Sequence, residues 1–141
     1  MKSCTLAMLI AAGLLVAGGA QAATEKFTAS LSGSQEVPSN ATMGKGSVEA
    51  TLDTGTKTLS YDITFSGLSG PAMAAHFHGP AAPGANGPPV VPIASPASPA
   101  SGKATLTDAQ VADLEAGKWY FNLHTAAHPG GEIRGQLQPA K

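Results

Sequence analysis

Cysteine is almost absent from the sequence, which has a single one, at position 4, among 141 residues. Cys4 falls inside the predicted signal peptide, so the rest of the chain has no thiol and cannot form a disulfide bond. Small exported domains often depend on disulfides because their hydrophobic cores are small. Residues 23–141 must therefore fold around a hydrophobic core alone, and their length suits one domain.

Charged residues are also scarce, at 12% of the chain, with 8 Lys and Arg against 9 Asp and Glu. The formal net charge is −1. Proteins that bind nucleic acid or anionic membrane surfaces do so with clustered basic side chains. The composition therefore argues against both as partners.

Residues 1–22 have the three parts of a secretory signal peptide. Lys2 is positively charged, residues 6–16 are almost entirely apolar, and Ala20-Gln21-Ala22 matches the small-residue cleavage pattern. The apolar run is shorter than the ~20 residues that span a bilayer. We predict cleavage after Ala22, no membrane span afterwards, and a location in the periplasm or outside the cell.

Alternation of apolar and polar residues predicts short strands over most of the remaining chain. The clearest strand lies at 59–66, where apolar and polar residues alternate without a break. Weaker versions of the pattern fall at 25–31, 46–52, 73–78, 90–93, 103–106, 119–124 and 132–138. Seven or eight such strands predict an all-β fold, an antiparallel Greek-key β-sandwich or barrel.

Two segments depart from the strand pattern. Residues 79–102 hold seven of the eleven prolines, which excludes a helix or a central strand there and predicts an extended loop with one edge strand. Thr107-Asp108-Ala109-Gln110 has the spacing of a capping box. We predict one short helix, at 108–116, ended by Gly117.

All four histidines lie in two short segments of the chain. Because strand side chains alternate, His76 and His78 share one face and Phe77 lies on the other. Two imidazoles at this spacing can bind one ion, and an all-nitrogen ligand set without thiolate favours Cu(II), with Zn(II) second. We predict a metal site of His76, His78 and His124, with His128 as an optional fourth ligand.

Three polar residues near these histidines are predicted to support the site. Asn122, Glu132 and Tyr120 can each hydrogen-bond the second ring nitrogen of an imidazole and so fix its tautomer. An alternative role for the same residues is a hydrogen-bonded polar layer without metal. In that layer His76 pairs with Glu132, and Arg134 either forms an exposed ion pair with Glu132 or bonds to backbone carbonyls.

Several motifs together resemble the CHRD domain family, which was first described in chordin and occurs alone in many exported bacterial proteins. These motifs are Leu31-Ser32-Gly33-Ser34-Gln35-Glu36-Val37-Pro38, His76-Phe77-His78-Gly79-Pro80, Asn122-Leu123-His124-Thr125 and Gly131-Glu132-Ile133-Arg134-Gly135-Gln136-Leu137. The resemblance covers essentially all of residues 23–141. It implies an immunoglobulin-like β domain and says little about biochemical activity.

A second function stays open beside metal binding. The domain can instead be a structural or adhesive module whose Pro-rich loop binds another exported protein or a cell-surface polymer. Enzymatic activity is not predicted, because the sequence has no G-x-S-x-G nucleophile motif and no second acid at a recognisable spacing from Glu132. A dismutase-like redox activity has the least support.

Overall fold

The computed structural model of the protein describes residues 21–141, so nearly all of the predicted signal peptide lies outside the described residues. Within 21–141, no helix has the length and apolar character needed to cross a bilayer.

Most of the described chain is antiparallel β-structure. The strands are β1 Thr24–Ser32, β2 Lys45–Asp53, β3 Thr58–Ser66, β4 Ala74–His78, β5 Pro89–Pro92, β6 Ala100–Thr105, β7 Tyr120–His124, β8 Ile133–Gln136 and β9 Gln138–Pro139. A short 3-10 helix at Gly33–Gln35 follows β1, and the helix α1 covers Asp108–Glu115. The prediction of an all-β fold with one short helix is confirmed.

The strands form one sheet that curls into a barrel-like sandwich. Its order is β5-β4-β7-β8-β1-β2-β3-β6, and β9 pairs with the middle of β1. β1, β2 and β3 form a meander, whereas β3 lies beside β6 and β4 beside β7. Neighbours distant in sequence are typical of the Greek-key arrangement that the strand pattern predicts.

Alternate side chains of every long strand fill a single core. β1, β2 and β3 each bury every second residue along most of their length. The largest side chains that are fully buried include Phe27, Leu31, Leu52, Leu59, Ile63, Phe77, Trp119, Phe121 and Leu123. Each such side chain contributes roughly 1.5–3 kcal/mol on burial. This core is the source of stability in a domain without disulfides.

The helix α1 begins and ends as its sequence predicts. The Thr107 hydroxyl accepts a hydrogen bond from the Gln110 backbone at 3.2 Å, and the Gln110 side chain accepts one from the Thr107 backbone at 2.9 Å. This reciprocal pair is the capping box. Gly117 follows the helix with φ of 73°, a conformation that favours glycine.

The outward face of β7 and β8 is covered by the rest of the chain. The segments 33–44 and 80–88 lie over it and hydrogen-bond to its side chains. Glu132 and Arg134 are therefore only 0% and 2% exposed, and each bonds to different partners. The interpretation of these two residues as an exposed ion pair is wrong, because an outward position in this half of the sheet is still a buried one.

Candidate metal centre

Three of the four histidines lie side by side on the outward face of β4 and β7. His76 and His78 flank Phe77, which points into the core and is fully buried. His124 pairs directly with Ala74 across the two strands and is therefore diagonal to His76. All three imidazoles are partly exposed to solvent. Alternation along β4 gives the pair, and the pairing of β4 with β7 adds the third ring.

The three rings approach closely enough to surround one small ion. One ring nitrogen from each histidine lies within 4.8 Å of those from the other two. The ring centroids are 5.3 Å apart for His76 and His124, 5.5 Å for His76 and His78, and 6.4 Å for His78 and His124. Metal–nitrogen bonds of about 2.0–2.1 Å at tetrahedral angles need nitrogens ~3.4 Å apart. The nitrogens, which lie up to 4.8 Å apart, must therefore move closer by as much as about 1.4 Å to bind one ion.

Backbone carbonyls fix the tautomers of two of these histidines. The Nδ1 atom of His78 lies 2.9 Å from the Gly87 oxygen, and Nδ1 of His124 lies 2.9 Å from the Pro129 oxygen. A carbonyl oxygen only accepts hydrogen bonds, so each Nδ1 carries the proton and donates it. In the neutral ring, Nε2 then holds a lone pair. Both Nε2 atoms are buried and have no hydrogen-bond partner among the described residues.

His76 adds a third nitrogen of the same kind. Its Nδ1 atom is buried and has no hydrogen-bond partner within residues 21–141. Burial lowers the pKa of His76, and the nearby His124 and His78 lower it further. Burial also lowers the pKa of His78, although the Gly87 carbonyl and Asn122 oppose part of that effect. The neutral imidazole favoured by these shifts is the form that binds metal.

The family comparison covers the whole of this arrangement. The model of the CHRD domain matches residues 27–137, which include the strands that carry the three histidines. The chain belongs to the CHRD domain family. No curated protein and no solved structure matches it significantly. The resemblance predicted from the motifs is confirmed.

The fourth histidine of this CHRD domain lies outside the group. His128 is in the turn after β7, where its backbone bonds to Thr125 in both directions and its carbonyl accepts from Gly131. This turn places the Pro129 carbonyl against the His124 ring. The backbone of His128 thus belongs to the structure that orients His124, while its side chain is not among the clustered ligand atoms.

Tyr120 supports His78 by packing. The two rings are stacked, with centroids 4.6 Å apart and planes 5° apart. The Tyr120 hydroxyl accepts a hydrogen bond from the Gly87 nitrogen and donates one to the Gly87 oxygen. Tyr120 therefore holds the carbonyl to which His78 donates, instead of bonding to the imidazole itself.

Glu132 acts on the loops beside the site. Its carboxylate accepts hydrogen bonds from the Thr125 hydroxyl at 2.8 Å, the Thr42 hydroxyl at 2.8 Å, and both the backbone and the hydroxyl of Ser69. Burial alone would raise the pKa of Glu132, but these donors hold it at about 2. The charged carboxylate joins three loops and anchors Thr125, which follows His124 directly.

Arg134 holds the Pro-rich segment 80–88 over the same face. Its guanidinium lies 3.5 Å from the centre of the Tyr120 ring, a cation–π contact. It donates to the Asn86 side chain at 2.9 Å and to the Ala85 carbonyl. These contacts fix the segment that carries the Gly87 carbonyl.

The residues that orient the imidazoles could not have been found from the sequence. Gly87 and Pro129 contribute main-chain carbonyls, which every residue has, so no side-chain pattern marks them. Only their position in the folded chain brings these oxygens to the rings. The histidine spacing was the one available signal.

Proposed function

We propose that this protein is an exported metal-binding β domain in which His76, His78 and His124 hold a single ion. The supporting observation is the convergence of three buried ring nitrogens that have no hydrogen-bond partner in the described chain. Leaving a buried polar group without a partner costs roughly 1–3 kcal/mol. A bound cation removes that cost at all three nitrogens together.

Copper is the ion that the donor set favours most. Imidazole suits Cu(II) and Zn(II), and Cu(II) binds more tightly than Zn(II) to the same nitrogen ligands. Thiolates, which select soft ions, are absent from residues 23–141. The signal-like segment at 1–22 agrees with a role in the periplasm or outside the cell, where copper encounters an exported chain.

Titration calorimetry of the metal-free protein with Cu(II) and with Zn(II) at pH 7.5 tests this function. We expect one ion per chain, tighter binding of Cu(II), and a loss of affinity of more than about 100-fold for His78→Ala or His124→Ala. His128→Ala is the matched control and keeps the affinity, because its side chain lies outside the group. Circular dichroism verifies that each variant is folded.

Absence of stoichiometric binding in the presence of a weak competing chelator would contradict the proposal. The adhesive alternative would then gain support, with the Pro-rich loop as the binding surface. Its part nearest the site is held down by His78, Tyr120 and Arg134. Residues 94–99 remain as the portion without strand structure that is available to a partner.

A further inference from the structure

Asn122 is a polar residue at the centre of the histidine group, and no hydrogen bond to its side-chain oxygen within the described chain accounts for it. It lies on β7, directly opposite His76 on β4 and opposite Arg134 on β8. His124 is two residues along the same strand and shares its face. Asn122 is 4% exposed, and its side-chain oxygen Oδ1 is buried with no hydrogen-bond partner in the described residues.

Two polar side chains from other parts of the fold lie near Asn122. These are the Glu36 carboxyl and the His78 ring. Burial raises the pKa of Glu36 to about 7, and the nearby Arg134 and Asn122 oppose part of that rise.

Unpartnered acceptor atoms gather on this face of β4 and β7. His78 donates from Nδ1 to the Gly87 carbonyl, so its Nε2 carries a lone pair in the neutral ring. Oδ1 of Asn122 can only accept, and it too is buried and unpartnered. Buried acceptors gathered without a donor are costly, and a bound cation would stabilise them together.

We propose that the Asn122 side-chain oxygen is the fourth ligand of the ion, completing a site of three nitrogens and one oxygen. The inference rests on the proposed function, since it concerns the same ion. Asn122 then takes the place of His128, which the sequence predicts as an optional fourth ligand. An amide oxygen is a harder ligand than the thiolate or thioether groups that select Cu(I), so the completed site favours the divalent ion.

Glu36 is the positioning residue for this ligand. It is 5% exposed, and its side chain lies beside Asn122, where it limits the positions that the Asn122 amide can take. Gly131 makes room for the carboxyl: its φ is 129°, and a Cβ atom there would lie 2.5 Å from Glu36 Oε1. Any other residue at 131 would displace the Glu36 carboxyl from Asn122.

Electron paramagnetic resonance and calorimetry of the Cu(II)-loaded protein test the fourth ligand. We expect a spectrum of three nitrogen donors and one oxygen donor in the wild type. Asn122→Leu should change that spectrum and weaken Cu(II) binding by roughly 10- to 100-fold, whereas Asn122→Asp keeps an oxygen at the same place and binds at least as tightly as the wild type. Glu36→Leu should weaken binding less, with partial recovery in Glu36→Gln.

A measurement on the wild-type protein keeps the fourth-ligand proposal testable even if the Asn122 variants fail to fold. Addition of diamagnetic Zn(II) to the isotope-labelled wild type should shift the Asn122 side-chain amide resonances in nuclear magnetic resonance spectra, because coordination through Oδ1 draws electrons from the amide. A wild type that binds no metal refutes the proposed function itself. A wild type that binds metal while Asn122 resonances stay in place, or while Asn122→Leu keeps the wild-type spectrum and affinity, refutes the fourth ligand alone.

Discussion

Single residues on the outer face beside β7 and β8 have structural roles that their strand position alone does not predict. Glu132 shows this most clearly, because its buried carboxylate meets only donors. Two threonine hydroxyls and both polar groups of Ser69 point at it. Strand alternation places Glu132 outward, and an outward side chain is expected to be exposed to solvent. The covering loops, which alternation does not predict, turn it into a buried anchor.

Replacing Glu132 by Gln should destabilise the metal-free domain by about 3 kcal/mol. The glutamine amide nitrogen would face hydroxyl and backbone donors, leaving at least one buried donor unpaired. Urea unfolding at pH 7 measures the change in the free energy of unfolding. Glu49→Gln, on the exposed side of β2, is the control and should stay within about 0.5 kcal/mol of the wild type.

The same variant has a defined dependence on pH. The pKa of Glu132 is lowered from 4.5 to about 2 in the folded protein, so its contribution is complete above pH 4.5 and is lost as the pH falls toward 2. The gap between wild type and Glu132→Gln should therefore narrow over that range. A gap that stays constant from pH 5 to pH 2 would count against a charged, hydrogen-bonded Glu132.

At the scale of elements, the sequence predicts the strands and the helix well, but it predicts poorly which strands pair with each other. The period of two locates β1, β2, β3 and β7, and the capping box locates α1, because these signals are local. The pairing of β4 with β7 depends on contacts across more than forty residues of chain. The sequence therefore predicts that His76 and His78 share a face. Strand alternation alone cannot show that His124 lies beside them and that the His128 side chain does not.

The Pro-rich segment 80–88 covers the face that carries the candidate site. Its composition predicts an extended loop that either covers the histidines or binds a partner, and its carbonyls bond to His78 and Arg134. Arg134 holds the loop where it crosses the site, because its planar guanidinium donates to both Asn86 and Ala85. A flexible ammonium group cannot reproduce those contacts.

Arg134→Lys should therefore loosen the segment and weaken metal binding together. We expect a loss of roughly 10-fold in Cu(II) affinity, because the Gly87 carbonyl no longer holds the His78 ring as firmly. Hydrogen exchange should become faster at Gly87, whose amide bonds to Tyr120. Lys103→Ala removes a positive charge from the exposed edge strand β6 and should change neither quantity. Unchanged Cu(II) affinity in Arg134→Lys would show that the segment 80–88 does not help to position the metal ligands.

At the scale of the whole molecule, the candidate centre bridges two strands that no disulfide bond joins. β4 supplies two of its ligands and β7 the third, so an ion would bind the folded state more tightly than the unfolded chain. Binding of this kind stabilises the fold by mass action, by at most about 2.7 kcal/mol at a ligand concentration of 100 times Kd. In a domain without disulfides, that is a large share of the total stability of ~5–15 kcal/mol.

Thermal unfolding with and without Cu(II) measures this coupling and its pH dependence. At pH 7.5 we expect a clear rise in Tm for the wild type and for His128→Ala, and none for His76→Ala combined with His124→Ala. The pKa values of His76 and His78 are lowered from 6.5, so the neutral ligands persist somewhat below that pH and are lost as the pH falls further. The rise in Tm should thus survive at pH 6.5 and disappear by about pH 5. A metal-induced rise that persists at pH 4 would indicate carboxylate ligands, because protonated imidazoles cannot hold the ion.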